Sequence, residues 1–150
     1  MAEENKVQPQ LLLQTYFVEE FNCKANPEFD VKKEISPKGF KVSLEGGQSK
    51  DSLHRTVKLF IEQAPDKEGN FPFLFKVTMV ALFDVNKEFI EAVGGDEKAS
   101  QIVAQNASEL LYPAARELLM LVSGHGPYVD KRMNVMLPPI SFSQFEPTKK

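Results

Sequence analysis

The stretch Asn106-Ala-Ser-Glu-Leu-Leu-Tyr112-Pro113-Ala-Ala-Arg116-Glu-Leu-Leu-Met-Leu-Val122 decides how the rest of the chain is read. Apolar residues recur at Val103, Ala107, Leu110, Leu111, Ala114, Leu118, Leu121 and Val122, the spacing of one face of an α-helix. Asp96, after Gly94-Gly95, is the expected N-cap, and Gly124 with Pro127 beyond it is the expected stop. Pro113 falls inside the pattern, where it removes a backbone hydrogen bond. A kink or break at 111–113 is therefore expected, with Arg116 snorkelling to solvent beside the apolar face. This is the one long helical pattern in the chain, and everything before it reads as strand.

Working back from the helix, Phe73, Phe75, Val77, Met79, Ala81 and Phe83 alternate with Leu74, Lys76, Thr78, Val80 and Leu82. Leu53, Val57, Leu59 and Ile61 alternate with His54, Thr56, Lys58 and Glu62, and Phe40-Lys-Val42-Ser-Leu44-Glu45 alternates before a turn at Gly46-Gly47. Three strands with short turns make an antiparallel meander. Residues 11–24 form a less regular strand, apolar on both faces. Simple alternation puts Phe17, Phe21, Cys23 and Glu19 on one side, and Tyr16, Val18 and Glu20 on the other. A long crossover over 25–37 joins it to the meander. Residues 89–93 fit either a helical turn or a strand extension.

The expected fold is α+β: a four-stranded antiparallel sheet, meander plus crossover, covered on one face by the C-terminal helix. A single domain spans 1–150, with a loose polar arm over 1–10 and a polar tail over 143–150. Strands of about ten residues give a sheet of roughly 33 by 19 Å, and a helix about 10 Å wide covers only part of it. The other face mixes Phe60, Leu74, Val80 and Leu82 among polar residues, so self-association is expected.

Composition excludes several classes. With 42% hydrophobic and 26% charged residues the chain reads as soluble and globular, and a net charge of −3 argues against nucleic-acid binding. The apolar runs fall short of a membrane span and no basic, apolar leader opens the chain, so a cytoplasmic location is expected. Cys23 is the single cysteine, which fits a reducing compartment. Twelve Phe with no Trp point to a large core, an apolar contact surface, or both. Catalytic material is sparse. His54 and His125 lie in unrelated contexts, and no metal-ligand spacing is present. Glu19 and Glu20, adjacent on a strand, should face opposite ways. No catalytic residue, metal or cofactor is expected, and the chain does not read as an enzyme.

Ordered residues then resemble the SecB family of protein-export chaperones. They are Asn106, Leu111-Tyr112-Pro113-Ala-Ala-Arg116-Glu117, Leu118, Leu121, Gly126 and Leu137-Pro138-Pro139-Ile140-Ser141-Phe142. Upstream, Phe17-Val-Glu-Glu20-Phe21, Glu34-Ile35-Ser-Pro37, Phe40-Lys-Val42-Ser43 and Phe73-Leu-Phe-Lys-Val77 continue the likeness, which covers residues 11–142. Ser141 stands where the family has Asn, and eight residues follow Phe142 where the family continues into a second helix.

The resemblance implies an ATP-independent holdase, assembled as a homotetramer (a dimer of dimers), that binds unfolded preproteins and delivers them to the motor SecA. Relatives also serve toxin–antitoxin systems, so the alternative is a specialised chaperone for one client such as an antitoxin. Candidate groove residues are Ile35, Phe40, Phe60, Phe75 and Phe142, each of which could instead be ordinary core. By register with the family, Glu20 and Glu62 would contact SecA. Leu110, Leu118 and Leu121 are expected to be part core and part oligomer interface.

Overall fold

The computed structural model describes residues 7–36, 38–125, 137 and 148–149. In chain order the elements are β1 (Leu11–Ala25), β2 (Phe40–Gln48), β3 (His54–Gln63), β4 (Phe73–Val85), α1 (Lys87–Val93), α2 (Asp96–Gly124) and β5 (Thr148–Lys149). The sheet order is β1-β4-β3-β2-β5. β2, β3 and β4 form the expected antiparallel meander, and β1 adds antiparallel to β4. The chain leaving β1 must therefore cross to the far edge before β2 begins. The two-residue β5, parallel to β2, is an element the sequence did not signal.

Asn70 latches the crossover. Its Oδ1 accepts from the Asp30 amide at 2.9 Å, and its Nδ2 donates to the carbonyls of Asp30 and Glu34 at 2.9 and 3.1 Å. Its backbone exchanges two hydrogen bonds with Ser36. Asn86 does a similar job at the next corner. It caps α1 by accepting from the Phe89 amide, and its side chain also bonds the backbone of Gln8 and Gln10. α1 resolves the ambiguous segment over 89–93 as helix. Gly94 and Gly95, at φ 99° and 123°, then allow α2 to start almost at once.

Three expectations are corrected. Gly95, not Asp96, is the N-cap of α2; Asp96 is the first helical residue, and its carboxylate turns to Arg55 instead. The helix does not break at Pro113 but runs 29 residues through it. Pro113 is exposed, as is Glu109, whose carbonyl loses its partner, so water can take the vacated bond. β2 continues through Gly46 and Gly47 to Gln48, so the turn comes later than the glycines suggested.

The buried face of α2 also differs from the Leu-based reading. It consists of Ala99, Val103, Ala104, Ala107, Ser108, Leu111, Tyr112, Ala115, Leu119 and Ser123. It faces Val57, Leu59 and Ile61 of β3 and Phe75, Val77, Met79 and Phe83 of β4 in one core. Arg55 holds the same inward phase as these β3 residues and is 3% exposed. It donates to Asp96 Oδ1 at 2.5 Å, Gln48 Oε1 at 2.7 Å, Ser100 Oγ at 2.8 Å and the Ser52 carbonyl at 2.9 Å. This pins the start of α2 to the end of β2 and the start of β3.

Three substitutions test this packing. Pro113→Ala restores a helical hydrogen bond and should raise the unfolding free energy in urea titration by up to about 3 kcal/mol. Asp96→Ala strands a buried guanidinium and should lower it by about 3 kcal/mol, the low end for an uncompensated buried charge, because three other acceptors remain. Arg55→Met should cost less than Asp96→Ala, since the half-exposed Asp96 can turn to water.

Candidate interaction surface

β1 is the outermost strand on its side of the sheet, and its open edge is 15 residues long. Helix α2 reaches β1, where Leu11, Phe21 and Cys23 pack against the core, but much of residues 12–18 stays outside that contact. Five large apolar side chains are consequently exposed: Leu12, Leu13, Tyr16, Phe17 and Val18, each between 42% and 50%.

Two register shifts, at Gln14 and Glu19, set which way these side chains point. Each bulge inserts one residue and reverses the alternation. Tyr16 and Val18 pair with Ala81 and Met79 on the helix side, and so do Phe21 and Cys23 with Val77 and Phe75. Phe17 pairs with Val80 and Glu20 with Thr78, on the opposite, outer face. The expected grouping of Phe17 with Phe21 and Cys23, and of Glu20 with Tyr16 and Val18, is therefore corrected. So is the expectation that Glu19 and Glu20 diverge. Glu19 pairs with Lys58 at 3.1 Å and Glu20 with Lys76 at 3.8 Å, two lysines of the outer face.

The other candidate residues are scattered. Ile35 is 53% exposed on the crossover. Phe40 is half-buried and meets the buried Phe75 edge-on, with ring centroids 6.4 Å apart, on the helix side of the sheet. Phe60 sits on the outer face, paired with Thr78 in the row that also holds Glu20. The structure thus joins Phe40 to Phe75 and separates Phe60 from both. Phe142 lies outside the described residues. Glu62 lies between Lys41 and Lys76 in the register of the outer face. Leu110 and Leu118 are half-buried flanks of α2, and Leu121 is 63% exposed.

Among the described residues the titratable groups do not converge on a reaction centre. Among the described residues no group of three His, Cys, Asp or Glu could hold a metal. Burial pushes the Cys23 thiol up, away from the thiolate. Burial also drives the Tyr112 phenol up to about 12 against the opposing charge of Arg116. His54 Nδ1 lies 2.6 Å from Asp84 Oδ1, and this hydrogen bond raises the imidazole above its ordinary 6.5. The pair stabilises the fold below that ordinary value and ceases to do so as pH rises through the raised one. No helix among the described residues is long and apolar enough to cross a membrane.

The sequence pattern missed Arg55 and Asn70. Arg55 occupies the inward phase of β3, between Leu53 and Val57, and that phase was its signal. Asn70 sits in a polar turn that looked generic.

No protein-family model matches the chain. No curated protein matches it either. Solved structures do. A protein of unknown function from Streptococcus agalactiae superposes with a TM-score of 0.53 at 14% identity, over 89% of this chain and 100% of that one. A SecB-like chaperone from Mycobacterium tuberculosis, solved in complex with a peptide of the HigA1 antitoxin, gives a TM-score of 0.48 at 13% identity over 87% of this chain and 88% of that one. The first shares this fold; the second is a more distant structural likeness.

Proposed function

We propose that this chain is an ATP-independent chaperone that holds unfolded polypeptide. The observation that carries the proposal is the β1 edge, with five exposed apolar side chains divided between both faces. Soluble proteins ordinarily shorten, charge or cover such an edge. An unfolded chain offers what the edge lacks: free backbone groups and apolar side chains that alternate between two faces. Ile35 and Phe40, with Phe75 behind Phe40, extend the contact from the crossover, and Phe60 and Phe142 remain candidate contacts in the same proposal. Self-association through the flank of α2 at Leu110, Leu118 and Leu121, up to a tetramer, belongs to the same reading.

Of the two roles that the resemblance implies, dedicated service to a client such as an antitoxin is better supported than delivery to SecA. A motor contact through Glu20 and Glu62 needs an acidic field. The outer face instead interleaves Glu19, Glu20, Glu45 and Glu62 with Lys24, Lys41, Lys58 and Lys76, and its fifth acid, Asp84, pairs with His54. Charges so interleaved cancel within a Debye length of about 10 Å at 0.1 M salt.

Aggregation of a reduced, unfolded protein should be slowed without nucleotide, and light scattering should give an oligomer that Leu121→Asp makes smaller. The double variant Phe17→Lys/Val18→Lys should weaken client binding at least about tenfold, because burying two half-exposed apolar side chains is worth roughly 1 kcal/mol each. Its melting temperature should barely move, since these residues are outside the core. A variant that loses stability instead of binding would remove β1 from the site. Titration with the host's SecA at low salt should give no signal, while a panel of unfolded proteins should show one client strongly preferred. Saturable SecA binding lost in Glu20→Lys/Glu62→Lys would restore the export role.

A further inference from the structure

We infer that the opposite edge of the sheet, along β2, is a second strand-addition site for extended polypeptide, and that the chain's own β5 is its resident occupant. The inference rests on the holding function proposed above and names a separate place for it. β2 is nine residues long, and β5 pairs with it at two of them, Glu45 with Thr148 and Gly46 with Lys149, in parallel. The edge therefore already accepts an extended strand. A two-residue ladder contributes few hydrogen bonds, and it persists because the tail is tethered and so locally concentrated.

Gly46 and Gly47 make room there. A Cβ built on Gly47 meets nothing within 4 Å. Clefts open on both sides of this point. One of about 200 Å³ lies toward α2, walled by Gln48, Arg55, Ser100 and Val103. One of about 390 Å³ lies on the outer face, walled by Glu45, His54, Thr56 and Lys58. Successive side chains of an added strand point to opposite faces, so they would enter the two clefts in turn. Both clefts expose more apolar than polar surface and carry groups of both signs, Arg55 with Asp96 in one and Glu45 with Lys58 in the other. β2 therefore suits extended client stretches of mixed composition, and its recognition of backbone is tolerant of sequence.

A resident tail lowers apparent affinity by the fraction of time the edge is free. An edge open one tenth of the time binds about tenfold more weakly than a bare one. The test uses the full chain and a fluorescent, reduced and carboxymethylated α-lactalbumin as client, with Kd read by anisotropy. Thr148→Pro/Lys149→Pro removes the tail's amide donors and should tighten binding several-fold. Adding Gly47→Phe, which fills the outer cleft, should cancel the gain. An unchanged or weaker Kd in the proline variant, or a gain that survives Gly47→Phe, would overturn the proposal. Hydrogen exchange of the proline variant decides it without a substitution in β2: client must add protection over residues 40–48. If Phe17→Lys/Val18→Lys abolishes binding but the proline variant changes nothing, only the β2 site fails. If no variant and no wild-type protein binds client, both readings fail.

Discussion

The whole molecule depends on small residues of α2 lying against large residues of the central strands. Ala99, Ala104, Ala107 and Ala115 are buried on the helix, opposite a sheet face that supplies Phe73, Phe75, Met79 and Phe83. Val103, Leu111, Tyr112 and Leu119 are buried on the same face, and the alanines between them let the elements approach closely at native packing density. Ser108 and Ser123 can share the seam because each hydroxyl donates to a carbonyl of its own helix, at 3.0 and 2.6 Å. The helix lies mainly over β3 and β4 and also reaches β1 and β2, while the middle of β1 keeps its apolar side chains exposed. Arg55 fixes where the seam begins, by tying Asp96 and Ser100 to the end of the sheet.

That seam also explains what the sequence could and could not tell. The meander was legible because β2 and β3 alternate and β4 keeps one phase wholly apolar, so a period of two has one interpretation. The existence of α2 was legible from its period, but its buried face was not. Leu110, Leu118 and Leu121 look like core by hydrophobicity, yet the stripe turned to the sheet is the neighbouring one, where Leu111, Tyr112 and Leu119 sit among Ala and Ser. Pro113 was weighed as an isolated residue; in place, its exposed position lets solvent do what the helix no longer does. On β1, two bulges reverse the phase twice, and a reading in strict alternation has no way to place them. The candidate site was legible in composition, as surplus Phe and an apolar first strand, but not in its residues. Phe75 proved to be buried support, and the exposed side chains were Leu12, Leu13, Tyr16 and Val18 beside Phe17.

The outer face shows how a sheet side without a helix among the described residues still buries apolar groups. Val80 and Thr78 are 2% and 3% exposed there. Register places Val80 between Phe17 and Lys58, and Thr78 between Glu20 and Phe60. The ion pair of Lys58 with Glu19 holds a long aliphatic stem along this surface. Such an exposed pair is worth little as an ion pair. Its effect lies in keeping the stem down, and it depends on the bulge that turns Glu19 outward.

The bulges therefore serve two ends at once. An apolar edge of 15 residues, flat and regular, would template the addition of copy upon copy. Each bulge interrupts the ladder and sharpens the local twist, so an added strand meets a short matched stretch before the register fails. Between Gln14 and Glu19 that stretch holds Tyr16, Phe17 and Val18, the centre of the exposed apolar group. A segment of a few residues can pair there and gain contact on both faces, but a longer regular strand gains little more. This geometry favours reversible capture of short extended segments over growth of a continuous sheet. The holding function proposed above would need that property.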